Sequence, residues 1–110
     1  MKTSIYVAGK VTGLEYQEVE EKFQAAETML LDQGWQIVVN PVKLINNPME
    51  EWHAAMEKCL EALTNCEAIY MLACSVDSPG ALLELQHALD HNIDIYYELE
   101  NVEEEPEILG

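Results

Sequence analysis

Short apolar runs alternate with stretches of helical periodicity along this chain of 110 residues. Four runs are rich in β-branched or aromatic residues, which is typical of buried strands; they lie at 3–8, 35–39, 68–73 and 93–97. Three stretches repeat apolar residues every three or four positions, which predicts amphipathic helices; they lie at about 17–33, 49–65 and 78–89. Strands and helices are therefore predicted to alternate along the domain.

That alternation predicts the fold class. The order β-α-β-α-β-α-β favours an α/β fold with a small doubly wound, flavodoxin- or Rossmann-like parallel sheet of four to five strands and helices on both faces. The segment 41–48 is interpreted as a loop, because its prolines and asparagines interrupt regular structure. In such sheets ligands bind outside the carboxyl ends of the strands, here the loops after Ala8, Val39 and Ala73.

The loop after the third predicted strand carries the main candidate chemistry. Ser78 can cap the next helix, Pro79 suits its first position, and Gly80 would let backbone approach a ligand closely. Glu84 follows within the first two turns, where the helix dipole favours an ionised carboxylate. This pattern predicts either a nucleophile beside an anion-binding helix end or a solvated helical glutamate. The residues expected to face the core are Ala81, Leu82, Leu85, Ala88 and Leu89.

The first predicted strand ends in a loop with two glycines, at 9–16. Gly9, Lys10 and Gly13 resemble parts of a phosphate-facing strand-to-helix turn, although the loop matches neither the P-loop nor the G-x-G-x-x-G fingerprint. A plain connecting turn is the alternative. Tyr6 lies near the end of the same strand and could contact a base or sugar, with packing in the sheet as the simpler role. These four residues are the candidate ligand contacts of this segment.

The charge of the chain excludes several classes of partner. Aspartate and glutamate total 21 against five lysines, with no arginine, and the net charge is −16 at pH 7. Nucleic acid polymers and anionic membranes require cations that neutralise phosphates, so we expect neither as a partner. A small phosphate ligand would depend on backbone N–H groups, hydroxyls and Lys10. Part of the acidity lies in a C-terminal tail, 98–110, which we separate from a domain at 1–97.

The remaining residues predict no cofactor, metal or disulfide. Three cysteines without a C-x-x-C pair are typical of reduced thiols. With no signal-peptide pattern and no apolar run of ~20 residues, we expect a cytoplasmic location and no membrane span. His87 and His91 have the spacing of two metal ligands, but no third ligand lies at a diagnostic spacing. A nucleophilic Cys74 would need a histidine base that the sequence does not place.

Several motifs resemble one family of small proteins. The motifs are IYVAGKVTGL at the start, VVNP after the second strand, NCEAIYML, and S-P-G-A-x-x-E at 78–84. Together they resemble the DUF4406 family over residues 4–97. That family is similar to nucleoside 2-deoxyribosyltransferases and to deoxynucleoside-monophosphate N-glycosidases. The resemblance implies that Glu84 is the nucleophile that attacks C1′ of a deoxyribose and that Ser78 contacts a 5′-phosphate.

The chain also departs from that family. Relatives carry a second carboxylate, the aspartate of M-R-x-D-I, where this chain has Met56-Glu57-Lys58-Cys59. Cys59 replaces the aspartate, and a neutral thiol is a poor substitute for a carboxylate in acid–base chemistry. Two functions therefore stay open. One is an enzyme that cleaves or exchanges the N-glycosidic bond of a nucleoside or nucleoside monophosphate through Glu84; the other is an inactive module that binds a nucleotide or protein. Exposed sheet edges favour a homodimer or larger assembly.

Overall fold

The computed structural model describes residues 2–47 and 49–98. All predicted strands and helices are found, with shifts of a few residues at their ends. The elements are β1 (Ser4–Ala8), α1 (Tyr16–Asp32), β2 (Ile37–Val39), α2 (Pro41–Ile45), α3 (Trp52–Thr64), β3 (Ala68–Met71), a 3-10 segment (Ala73–Asp77), α4 (Pro79–Asp90) and β4 (Asp94–Tyr97). The acidic tail predicted at 98–110 lies outside the described residues except for Glu98, whose N–H bonds to the Met71 carbonyl.

The four strands form one parallel sheet in the order β2-β1-β3-β4, which confirms the predicted fold class. From β1 the chain crosses to the edge strand β2 and then returns to β3 on the other side of β1. Strand order therefore reverses between β1 and β3. The Leu72 N–H donates to the Ala8 carbonyl at 2.8 Å, so the loops that follow these two strands start side by side. This is the position at which doubly wound sheets bind ligands.

Helices cover both faces of the sheet, and residue alternation along β1 assigns side chains to each face. Ile5 and Val7 pack with Phe23 of α1 in one cluster of buried residues. Tyr6 and Ala8 belong to the cluster on the opposite face, which includes residues of α3 and α4. Tyr6 therefore faces the helix that carries Glu84.

The prediction of a loop at 41–48 is wrong for its first half, because Pro41–Ile45 form a short helix. The Asn40 side chain accepts a hydrogen bond from the Val42 N–H at 3.0 Å and caps this helix. Proline is favoured at the first helical position, because no intrahelical partner exists for an N–H there. Asn46 then ends the helix in the left-handed conformation at φ 50°. Pro41 and Asn46, which the sequence pattern indicated as interruptions of regular structure, therefore begin and end a helix.

The predicted core face of α4 is only partly correct. Ala81 and Ala88 are buried, but Leu82 and Leu89 are 46 % and 53 % exposed, so their prediction as core residues is wrong. The third buried residue of the helix is Glu84. Residues 81, 84 and 88 share one stripe, and the next position along a helix is rotated by about 100°, which carries both leucines off that stripe.

Among residues 2–47 and 49–98, no helix is both long and apolar enough to cross a bilayer.

Candidate functional site

The candidate site is built around a buried carboxylate on α4. Ser78 caps this helix as predicted, because its Oγ accepts a hydrogen bond from the Ala81 N–H at 3.2 Å. The helix then carries Glu84 to the face that packs on the sheet, where the side chain is only 5 % exposed. The Tyr6 hydroxyl donates to Glu84 Oε2 at 2.5 Å. Two residues 78 positions apart in sequence are thus joined between β1 and α4.

The surroundings of Glu84 change its acidity. Burial raises the pKa of Glu84 to about 7, and the hydrogen bond from Tyr6 acts in the opposite direction. A carboxyl group with this pKa changes charge near neutral pH, as groups that act in catalysis often do. Burial and the neighbouring Glu84 charge raise the pKa of Tyr6 well above its ordinary value. Tyr6 therefore stays protonated and remains a hydrogen-bond donor to the carboxylate.

Cys59 of α3 is the third ionisable side chain at this position. The thiol is buried, and burial raises its pKa to about 11; the Glu84 charge also raises it, whereas interaction with the Tyr6 hydroxyl lowers it. Cys59 is therefore a neutral thiol at physiological pH. Glu57 and Glu61, the two carboxylates nearest to it in sequence, are exposed on the same helix and do not point into the buried site. Within the described residues, Glu84 has no second carboxylate beside it from this part of α3.

Gly80, which the sequence predicts to let backbone approach a ligand, lies where α4 and α3 are in close contact. A Cβ atom at this position would lie 3.3 Å from Met56 Sδ and 3.8 Å from Trp52 Nε1. Both side chains belong to α3, and Trp52 is 40 % exposed. The first turn of α4, one turn before Glu84, is therefore covered by an aromatic ring and a thioether at the protein surface.

The glycine-containing loop after β1 lies at the neighbouring strand end. A Cβ atom on Gly9 would come within 2.7 Å of Leu72 Cδ1, so this glycine permits close packing of the loops after β1 and β3. Gly13 adopts φ +88° in an open turn. The Lys10 ammonium pairs with Asp77 at 3.3 Å. The predicted residues therefore divide into two groups: Tyr6, Ser78 and Glu84, which are buried, with the partly buried Gly80 of the same helix; and the loop residues Gly9, Lys10 and Gly13.

Sequence patterns did not indicate Lys22, which lies on α1 and reaches the same loops. Its ammonium donates to the Lys10 carbonyl at 3.1 Å and to Cys74 Sγ at 2.9 Å. No local signal could have revealed this pair, because Lys22 and Cys74 are 52 positions apart and meet only through the order of the strands.

Two clefts lie elsewhere on the surface. The larger, about 540 Å³, is between α1 and α2 and is lined by residues that include Glu20, Asn40 and Lys43. The smaller, about 290 Å³, is on the α1 side of the sheet beside Trp35 and Tyr96. Glu84 lines neither cleft, which agrees with its burial beneath packed side chains.

The histidines predicted to be poor metal ligands interact with their neighbours. The rings of His87 and His91 stack with centroids 4.1 Å apart, and His87 Nε2 lies 2.7 Å from Thr64 Oγ1. In the part of the chain that is described, no group of three histidine, cysteine, aspartate or glutamate side chains is arranged to hold a metal ion.

Comparison with models of protein families identifies a family for this chain. The family model described as "Domain of unknown function (DUF4406)" matches residues 3–97, which include every strand and helix of the sheet fold. No curated protein and no solved structure matches the chain.

Proposed function

This chain belongs to the DUF4406 family, and we propose that it cleaves or exchanges the N-glycosidic bond of a nucleoside or nucleoside monophosphate, with Glu84 as the nucleophile. One observation carries the proposal. A carboxyl group is buried on the helix after β3 and fixed by a tyrosine hydroxyl at 2.5 Å. Glu84 lies in the second turn of α4, which begins beyond the carboxyl end of β3, the edge of the sheet at which ligands bind in this fold class.

The proposed reaction uses the carboxylate in its ionised form. A Glu84 oxygen attacks C1′ of the sugar, the C1′–N bond breaks, and the base leaves with the electron pair of that bond and takes a proton from solvent. Water then releases the sugar from the carboxylate, or a second base takes it. Tyr6 would hold Oε2 and leave Oε1, which has no hydrogen-bond partner among the described residues, to meet C1′. With the pKa of Glu84 near 7, the carboxylate is available at and above neutral pH.

The choice of substrate rests on the resemblance of the sequence motifs, which implies a family similar to nucleoside 2-deoxyribosyltransferases and deoxynucleoside-monophosphate N-glycosidases. In that assignment Ser78 would contact a 5′-phosphate; its Oγ already accepts the Ala81 N–H and could donate its own proton to an anion. Lys10 would have to leave Asp77 to contact the same group. A substrate must also displace covering side chains, because Glu84 is almost fully buried; Trp52 and Met56 stand over the adjacent Gly80.

A second function has its own supporting observation. Cys59 is a neutral thiol at the position where the resemblance implies a carboxylate, so this chain lacks that acid for the leaving base. A nucleotide-binding or protein-binding module without catalysis would need no such group. The enzyme would cleave the N-glycosidic bond through Glu84, whereas the inactive module would not cleave it.

A base-release assay separates these functions. Purified protein is incubated with a panel of ribo- and 2′-deoxynucleosides and their 5′-monophosphates, with and without an added acceptor base, and free base is measured by chromatography. Glu84→Gln removes the nucleophile, and Glu57→Gln removes the same charge at an exposed position of α3. We expect release by the wild type and by Glu57→Gln and none by Glu84→Gln. Saturable nucleotide binding without release would instead favour the inactive nucleotide-binding module. If the protein shows neither binding nor release, both the enzyme and the nucleotide-binding module are refuted, and only the protein-binding module is left.

Assembly and location are also proposals. Leu82 and Leu89 lie seven positions apart on the exposed side of α4, and they form an apolar surface that supports a homodimer or larger oligomer. Leu82→Glu should convert such an oligomer to monomers, as measured by sedimentation or light scattering. The cytoplasmic location stays a prediction.

A further inference from the structure

Two N–H donors contact the sulfur of Cys74, which lies in the 3-10 segment after β3. The Lys22 ammonium of α1 donates to Cys74 Sγ at 2.9 Å, and the Lys10 backbone N–H donates at 3.3 Å. Lys22 is itself held in place, because it also donates to the Lys10 carbonyl at 3.1 Å. Cys74 is partly buried as a residue, unlike the other two cysteines. This Cys74–Lys22 pair combines a nucleophilic atom with a cation in contact with it, in a residue that is not fully enclosed by the core.

The other two thiols of the chain have the opposite environment. Cys59 and Cys66 are each 6 % exposed, and burial raises the pKa of both. They pack in the cluster between the sheet and the α3–α4 layer, whereas Cys74 packs against the cluster on the α1 side. The sheet therefore separates Cys74 from both thiols, and they serve as internal controls for its reactivity.

We propose that Cys74 is a modification site that reacts with hydroperoxides, with Lys22 as the group that promotes the reaction. With hydrogen peroxide as the oxidant, the Cys74 thiolate attacks one oxygen; the S–O bond forms, the O–O bond breaks, and hydroxide leaves. The Lys22 ammonium gives a proton to the hydroxide, which leaves as water, and regains one from solvent. Sulfur is oxidised by two electrons to sulfenic acid and the peroxide is reduced. An ammonium in contact with sulfur favours this step because the reactive species is anionic.

The position of Cys74 also determines the next step. Because the sheet lies between Cys74 and the other thiols, no disulfide can form within the folded chain without moving the sheet. The sulfenic acid is therefore open to a small thiol from solvent. That thiol attacks the sulfur, a mixed disulfide forms, and the oxygen leaves as water. Reduction by a second small thiol restores Cys74.

Trapping with dimedone tests the assignment. The folded protein is treated with hydrogen peroxide and dimedone, digested, and the adducts on the three cysteines are compared by mass spectrometry. We expect adducts on Cys74 and not on Cys59 or Cys66, and labelling of all three when the same treatment is made in denaturant. Folded protein that lacks the adduct on Cys74, or that carries equal adducts on all three cysteines, would overturn the proposal.

Charge variants test the role of Lys22. Lys22→Gln should slow Cys74 labelling about fivefold, the factor expected for one partly screened charge contact. Lys22→Arg should restore most of the rate, because it keeps the charge. Lys43→Gln is the matched control, since Lys43 pairs with Glu27 away from the sulfur. If Lys22→Gln labels as fast as Lys43→Gln, in proteins with equal melting temperatures, Lys22 does not promote the reaction. Equal slowing in Lys22→Arg and Lys22→Gln would also contradict that role.

Discussion

Replacing Glu84 with glutamine is predicted to stabilise the protein, and to do so increasingly as pH rises. Glutamine has nearly the shape of the protonated glutamate, and its carbonyl can accept the hydrogen bond that the Tyr6 hydroxyl donates. What it lacks is the ability to become charged in a site that is 5 % exposed. The substitution therefore isolates the cost of ionising a carboxyl group under α4.

The magnitude follows from the pKa of Glu84, which burial raises from an ordinary 4.5 to about 7. Because the folded state binds this proton more tightly than the unfolded state, the stability that the protonated group contributes is fully present below pH 4.5 and is lost as pH rises through 7. The difference between the two pKa values corresponds to about 3 kcal/mol at pH 8 and about 1 kcal/mol at pH 5. Glutamine avoids that loss.

Urea unfolding between pH 5 and pH 8 measures the effect, with the fluorescence of Trp35 and Trp52 as the signal. The stability advantage of Glu84→Gln over wild type should grow by about 2 kcal/mol across this interval. Glu57→Gln removes the same charge from an exposed position, and its difference from wild type should stay nearly constant. This control corrects for the general repulsion in a chain of net charge −16.

Two results would refute the reasoning. A difference between Glu84→Gln and wild type that does not change with pH would show that the carboxyl group does not titrate in this interval. A variant less stable than wild type at pH 8 would show that the ionised carboxylate is stabilised where it lies, so that burial does not dominate its pKa. In either case the raised pKa would lose its part in the proposed pH dependence of catalysis.

Other substitutions test neighbouring contacts. Tyr6→Phe removes the hydrogen bond that lowers the pKa of Glu84, so the pH midpoint of base release should move to higher pH; an unchanged midpoint in the pH–rate profile would contradict that bond. Gly9→Ala places a Cβ atom 2.7 Å from Leu72 Cδ1 and should reduce the free energy of unfolding by about 1–3 kcal/mol in urea. Asn40→Ala removes the cap of α2 and should cost about 1 kcal/mol, seen as a lower melting temperature.

The sheet and its helices could be predicted from the sequence because hydrophobic periodicity is a local property. The run at 3–8 alternates residues that pack on opposite faces of β1, and α1 buries Val19, Phe23, Ala26 and Leu30 at helical spacing. The short helix α2 was missed for a different reason. Asn40 and Pro41 interrupt a preceding strand and also begin a helix, and only the following residues decide which role applies.

The buried face of α4 could not be predicted from hydrophobicity, because the pattern ranks side chains by polarity. A ranking by polarity predicts Leu82 and Leu89 as core residues before Glu84. Contact with the sheet, however, decides which stripe of the helix is buried. Small residues at 81 and 88 let the helix approach closely. The partner that makes burial of Glu84 tolerable is the Tyr6 hydroxyl, and its identity depends on long-range strand order.

Helix α4 buries a glutamate and exposes two leucines, and this reversal of the usual arrangement is the physical argument for function at this helix. A domain of this size is stable by about 5–15 kcal/mol, so an ionised carboxyl group that costs about 3 kcal/mol at pH 8 is a large opposing term. Leu82 and Leu89 lie exposed on the same helix. Folding alone would favour the reverse arrangement, with an apolar residue at 84 and polar residues at the two exposed positions. Since neither departure helps this chain to fold, both support the proposals that α4 meets a substrate on its inner face and a second copy of the chain on its outer face.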